Sequence, residues 1–132
     1  MNTSDYLAEI WGIAFVLVSL VFLVKIELLE KLLELAENDA VMIFFGAVTL
    51  IAGVVMVCIH NLWVPDWRVI ITVLGWLTLL KGLDQLLFAK HMQRRWSNMS
   101  SRRWRIIFVF LLIFGLTLVY LGTISRSRIV VN

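Results

Sequence analysis

Apolar residues run in four long blocks along this chain, at residues 6–24, 40–59, 65–89 and 104–124, and the stretches between them are short and hold most of the charge. The blocks show no period-2 alternation of a half-buried strand, and all but the third lack a polar stripe, which predicts helices in largely apolar surroundings. Each block is close to the ~20 residues that a helix rising ~1.5 Å per residue needs to cross a ~30 Å hydrocarbon core. The predicted fold is an all-α membrane protein, a compact four-helix transmembrane bundle that occupies residues 1–132 as one domain.

Residues 26–37 follow a different pattern. At about 100° per residue, Leu28, Leu29, Leu32, Leu33, Leu35 and Ala36 fall on one half of the helical wheel, and Glu27, Glu30, Lys31, Glu34 and Glu37 on the other. No Pro or Gly intervenes, so the first span is predicted to run on to residue 37 as a cytoplasmic amphipathic helix, either projecting from the bilayer or bending along the headgroups. A charged face richer in Glu than in Lys points away from anionic lipid. It favours a protein surface, either another chain's or this chain's own third connection, which is basic.

All seven glycines lie in or beside the apolar blocks, where they weaken helices, so packing is their expected role. Gly46 and Gly53, Gly75 and Gly82, and Gly115 and Gly122 are pairs spaced by seven. Seven residues is about two turns, which puts both members of a pair on one face. Gly12 and Ser19 repeat the spacing in the first block, and Thr49 and Thr78 sit at matching places inside the second and third pairs. Small residues allow helix backbones to approach closely in lipid.

Composition narrows the picture. A mean hydropathy of +0.94 leaves too little polar surface for a water-soluble domain, and the segregation of 12 Lys and Arg and 9 Asp and Glu to the block borders is what a bilayer imposes. In a soluble protein the pI near 9.4 would raise nucleic acid as a partner. Basic residues gathered at membrane borders instead predict contact with anionic lipid headgroups at the third connection, and no nucleic acid. Nine of the twelve Lys and Arg (Lys25, Lys31, Lys81, Lys90, Arg94, Arg95, Arg102, Arg103 and Arg105) fall in the first and third connections or in the block ends that lead into them. The excess of Lys and Arg places these connections in the cytoplasm and both termini outside. Met1–Glu9 holds no Lys or Arg and no small-residue cleavage site follows, so the first block is expected to remain as a span.

Candidate chemistry is sparse. The third block is the least apolar, and only residues 69–80 of it are free of charge. Arg68, Thr72, Thr78, Lys81 and Gln85 share a helical half with Gly75 and Gly82, opposite Val69, Val73, Trp76, Leu80 and Leu83. Glu9, His60, Asp66, Arg68 and Lys81 form the candidate polar site. A meeting of Glu9 with His60 or Arg68 would make a pH-sensitive contact, and Lys81 would either snorkel to the headgroups or stand on a transport path. Pro65 and Asp66 suit the first turn of the third span, and Ser100 or Ser101 the N-cap of the fourth. Trp63, Trp67 and the repeated triplets Arg94, Arg95, Trp96 and Arg102, Arg103, Trp104 are expected at the lipid interface. Cys58, the single cysteine, is expected to be a buried thiol. No nucleophile, metal or phosphate motif is present, so neither a cofactor nor an enzymatic role is expected.

The residues His60-Asn61-Leu62-Trp63, Asp66-Trp67-Arg68, Gly75-Trp76 and Lys81-Gly82 resemble a pattern found in small, functionally uncharacterised bacterial inner-membrane proteins, over about 23 residues. The resemblance implies a bacterial inner membrane and carries no activity with it. The expected function is a structural or accessory role, as a self-associating protein or as a subunit of a larger membrane assembly. The alternative is a small transporter or channel with a polar path along the second and third spans, through Thr49, Thr78, Lys81 and Gln85. Small multidrug-resistance transporters resemble the chain only in size, Glu9 lying too near the interface to match their carboxylate.

The charge asymmetry predicts the result of cysteine-accessibility labelling. With Cys58 replaced by Ser, single cysteines at Asn2 and Asn132 should label from outside and those at Asn38 and Asn98 from the cytoplasm. Termini on opposite sides would refute four spans.

Overall fold

The computed structural model describes residues 3–130, so Asn2 and Asn132 lie outside the described residues. Among the described residues the fold is all-α, with six helices: α1 (Thr3–Val24), α2 (Ile26–Ala36), α3 (Asp39–Ile59), α4 (Val69–Leu87), α5 (Ala89–Ser97) and α6 (Ser101–Val130). Four of them, α1, α3, α4 and α6, are long and apolar enough to cross a membrane. The protein is therefore a multi-pass membrane protein by the length and composition of its helices.

Local chemistry sets the helix ends. The first span and the amphipathic segment are two helices, not the single one expected. Lys25 still bonds back to Val21 O at 2.9 Å, but Leu28 N–H reaches only three residues back, to Lys25 O at 3.1 Å. The break falls where β-branched Val24 and Ile26 flank Lys25, the first basic residue, and such residues lose rotamer freedom in a helix. Asn38 caps α3, its side-chain oxygen accepting from Ala40 N–H at 2.9 Å.

Pro65 does not open the third span as expected. Asp66 N–H donates to Val64 O at 2.8 Å around it, and Val69, Ile70 and Ile71 each bond three residues back before regular α4 begins. The Asp66 carboxylate accepts from Trp67 N–H at 2.7 Å, so it caps this lead-in turn and not α4 itself.

The fourth span is longer than residues 104–124. Its 30 residues extend about 45 Å, more than a ~30 Å core requires. Arg102, Arg103 and Arg105 stand at one end and Arg126 and Arg128 at the other. Ser100 occupies the cap position, its carbonyl accepting from Arg103 N–H at 2.9 Å. Helix α5, within the third connection, was not anticipated. Arg94 and Arg95 lie in its last turn, where cations offset the negative end of the helix dipole.

The helices gather into two compact units, one made by the chain up to Leu29 and from Ser100 onward, the other by Glu30–Met99. In the first, α1 and α6 are antiparallel. Gly122 lies against Asp5 O, Gly12 against Gly115 and Val119, and Phe22 stacks on Phe108 with ring centroids 5.0 Å apart. Thr3 and Val130 therefore belong to the same end of this pair. Trp11, Phe15 and Phe114 form a second aromatic ladder along it.

In the second unit, α3 and α4 form an antiparallel hairpin, with Gly46 facing Gln85 and Leu86, Leu50 facing Gly82, Gly53 facing Leu79, and Met56 and Val57 facing Gly75. The expected glycine faces are contact faces. A Cβ on Gly53 would stand 2.5 Å from Leu79 Cα, and one on Gly82 would stand 2.6 Å from Leu50 Cα. Backbone, not a movable side-chain tip, fills the space. Gly12, absent from the strongest sequence pairs, is as tight: its Cβ would lie 2.8 Å from Gly115 O. The outward faces carry exposed Ile10, Leu17, Phe44, Leu77 and Phe110. Cys58 is exposed too, because it lies on the outer face of α3 and not on the glycine seam.

This geometry predicts a sharp split between two classes of substitution. Gly53→Leu or Gly82→Leu must push backbones apart and should lower stability in detergent by about 1–3 kcal/mol or more. Leu77→Ala, on an exposed face, should cost much less, because lipid or detergent replaces the lost contacts. Thermal unfolding of the purified variants measures the difference, and equal tolerance at both classes would refute the glycine seam.

Candidate functional site

Polar groups collect at both ends of the α3–α4 hairpin. At the connection end, His60 is the first residue after α3, and its N–H closes the helix on Met56 O at 2.8 Å. The residue is 2 % exposed. Thr72, one turn into α4, gathers three partners: its hydroxyl donates to Leu62 O at 2.9 Å, accepts from Leu62 N–H at 3.2 Å, and lies 3.0 Å from His60 Nδ1. The single hydroxyl proton is used on the Leu62 carbonyl, so Nδ1 must be the donor and carry the proton. One hydroxyl thereby satisfies both backbone groups of an extended residue and orients the imidazole.

Burial lowers the His60 pKa below 6.5, a backbone hydrogen bond opposes that shift, and the nearby Arg68 charge lowers it further. Arg68 Nε lies 3.6 Å from Asp66 Oδ2, both side chains being partly exposed, a pair worth at most about 1 kcal/mol. Trp63 donates through its indole N–H to Asn61 Oδ1 at 2.8 Å.

At the opposite end, a cleft of about 210 Å³ is lined by Met42, Phe45 and Thr49 of α3 and Lys81 and Gln85 of α4. Leu32 and Ala36 of α2 and Trp96 of α5 complete it. Gln85 is 4 % exposed, and its carboxamide nitrogen reaches only the Met42 sulfur, at 3.9 Å. Its oxygen has no hydrogen-bond partner. A buried carbonyl left in that state costs about 1–3 kcal/mol. Above the cleft, Gln93 Nε2 donates to Ala36 O at 2.9 Å and lies 3.2 Å from both Glu37 O and Asp39 Oδ1. Gln93 thus joins the first connection to the third.

The candidate residues divide as follows. His60, Asp66 and Arg68 share the connection end, and Lys81 lies at the cleft. Glu9 belongs to the α1–α6 pair, where its carboxylate stands 3.6 Å from Arg126 Nη1. Of the expected interface residues, Arg94, Arg95, Arg102 and Arg103 are exposed, as is Trp63, while Trp67, Trp96 and Trp104 are partly covered. Trp104 stacks on Phe108 with centroids 6.1 Å apart, and Trp96 is a wall of the cleft.

Sequence reasoning missed Asp5, which is 1 % exposed with neither carboxylate oxygen hydrogen-bonded. An acid in the first turn of a span, where the helix dipole favours negative charge, was the available signal. Among the described residues, no group of three or more His, Cys, Asp or Glu could hold a metal ion.

The His60 geometry predicts a pH effect of definite sign. With its folded pKa below the unfolded 6.5, the unfolded chain binds the proton more readily. The stability held above about pH 6.5 therefore falls as pH drops through that value toward the folded pKa. His60→Asn, whose amide N–H can replace Nδ1–H, should flatten this dependence between pH 7.5 and 5.5. Thr72→Val should cost about 1–3 kcal/mol by stranding its three partners. Thermal melts of the three proteins across pH measure both effects.

Comparison of the chain with family models, with curated proteins and with solved structures gives no match.

Proposed function

We propose that this protein is an integral protein of the bacterial inner membrane with a structural or accessory role, either self-associating or a subunit of a larger membrane assembly. The observation that supports this best is the closed α3–α4 seam. Backbones touch at Gly53 with Leu79 and at Gly82 with Leu50, which leaves no space for a water-filled path between these helices at those levels. Thr78, one of the residues that would line such a path, turns its hydroxyl back on Leu74 O at 2.7 Å.

Other features agree with an accessory role. Leu28, Leu32 and Leu35 of α2 are exposed on a helix whose other face is rich in Glu, a surface suited to a protein partner more than to anionic lipid. The exposed Arg94, Arg95, Arg102 and Arg103 suit anionic headgroups on the cytoplasmic side. The excess of Lys and Arg in the first and third connections supports an orientation with both termini outside. The resemblance around His60–Lys81 supports the bacterial inner membrane.

Reconstitution separates this role from transport. Proteoliposomes carrying the wild-type protein should show no ion or solute flux above empty vesicles. A reproducible flux that disappears in Lys81→Met, with the helical circular dichroism unchanged, would replace the accessory role with transport.

A further inference from the structure

The cleft beside Lys81 has the chemistry of a ligand site. Its one formal charge is positive, so its occupant is anionic. Gln85, one of its lining residues, is more than nine-tenths buried and its amide oxygen has no hydrogen-bond partner, an acceptor that an O–H or N–H donor on the occupant would satisfy once the side chain turns toward the cleft. Phe45, Met42 and Trp96 form an apolar wall, so hydrocarbon adjoins the polar group. The cleft offers about 210 Å³ of water-accessible space, enough for a small polar headgroup.

Position narrows the class further. The cleft runs along the first three turns of α3 and the last turns of α4, from about 5 Å to about 15 Å inside the end of α3 at ~1.5 Å per residue, so it opens near the interface and continues into the adjoining half of the hydrocarbon core. Leu32 and Phe45, which line it and are exposed, offer an apolar surface along which chains can run. A lysine stem on apolar surface with its ammonium toward the headgroups is the arrangement that recognises a lipid phosphate.

Building on the membrane assignment, we infer that this cleft binds the headgroup of an anionic phosphodiester lipid whose headgroup bears a hydroxyl, of the phosphatidylglycerol type. Lys81 pairs with the phosphate, Gln85 accepts from the headgroup hydroxyl, and the glycerol and first methylenes lie on Trp96 and Phe45. A soluble phosphate ester shares the polar half of this chemistry but leaves the apolar wall uncovered.

Native mass spectrometry of the full chain in detergent tests the site with three probes: short-chain phosphatidylglycerol, short-chain phosphatidylcholine and glycerol phosphate. Phosphatidylglycerol should bind about tenfold more tightly than phosphatidylcholine, and glycerol phosphate more weakly than either. Lys81→Met and Gln85→Met should each reduce phosphatidylglycerol binding about tenfold, and Gln85→Glu, which keeps the shape but repels phosphate, should reduce it most. Circular dichroism and thermal melts check that the variants fold, and the three-probe comparison on the wild-type protein stands without them.

Equal binding of the two lipids, or wild-type affinity in all three folded variants, overturns the site. Glycerol phosphate binding as tightly as phosphatidylglycerol overturns the lipid and assigns the cleft to a soluble ester. Failure of the chain to float with liposomes would refute the membrane assignment itself, whereas a chain that floats but does not discriminate between lipids refutes only the cleft.

Discussion

Helices in a bilayer gain nothing by hiding apolar surface from one another, because lipid tails are as apolar as leucine. What holds a helix pair together is close backbone approach, and in this protein that approach is possible only where Cβ is missing. Gly53 and Gly82 each admit a leucine backbone of the facing helix, and Gly12 and Gly115 face each other across α1 and α6. The rest of the arrangement follows from these contacts. They fix the register of each antiparallel pair and so decide which polar residues meet.

The consequence is plain along α4. Thr72 and Gln85 lie on the same glycine-lined face, close to opposite ends of one helix, and both are buried. At Thr72 the register brings in the His60 ring and the extended Leu62 backbone, and every group of that knot is satisfied. At Gln85 the register supplies Met42, a weak sulfur acceptor, and the amide oxygen is left without a partner. Buried polar groups are nearly always hydrogen-bonded. The exception at Gln85, beside a lysine and an aromatic wall, is where a ligand would complete what the chain leaves unmet.

Charged residues are treated differently. Arg126 and Glu9 pair at one end of α1 and α6, Asp66 and Arg68 pair in the connection of the hairpin, and Lys81 is an exposed residue lining the cleft. The two pairs stand near helix ends, where solvent and headgroups lower the cost of charge. Asp5 alone among the acids is fully covered, and its place in the first turn of α1 lets the helix dipole offset part of that cost.

By itself the sequence determined the all-α class, the four spans and the glycine faces, because blocks of apolar residues and seven-residue spacing are properties of a single helix in lipid and need no knowledge of its neighbours. It also singled out His60 and Lys81 as residues of note. Only the tertiary structure decided their partners. Nothing in the chain's order marks Thr72 as the group that orients His60, Arg126 as the partner of Glu9, or Gln93 as the tie between the first and third connections. These contacts join residues far apart in sequence, and the backbone register that glycine packing sets is what brings them within reach. The break at Lys25, the lead-in turn after Pro65 and helix α5 were likewise hidden, since each depends on local hydrogen bonds that compete closely with a regular helix and are settled by small differences in energy.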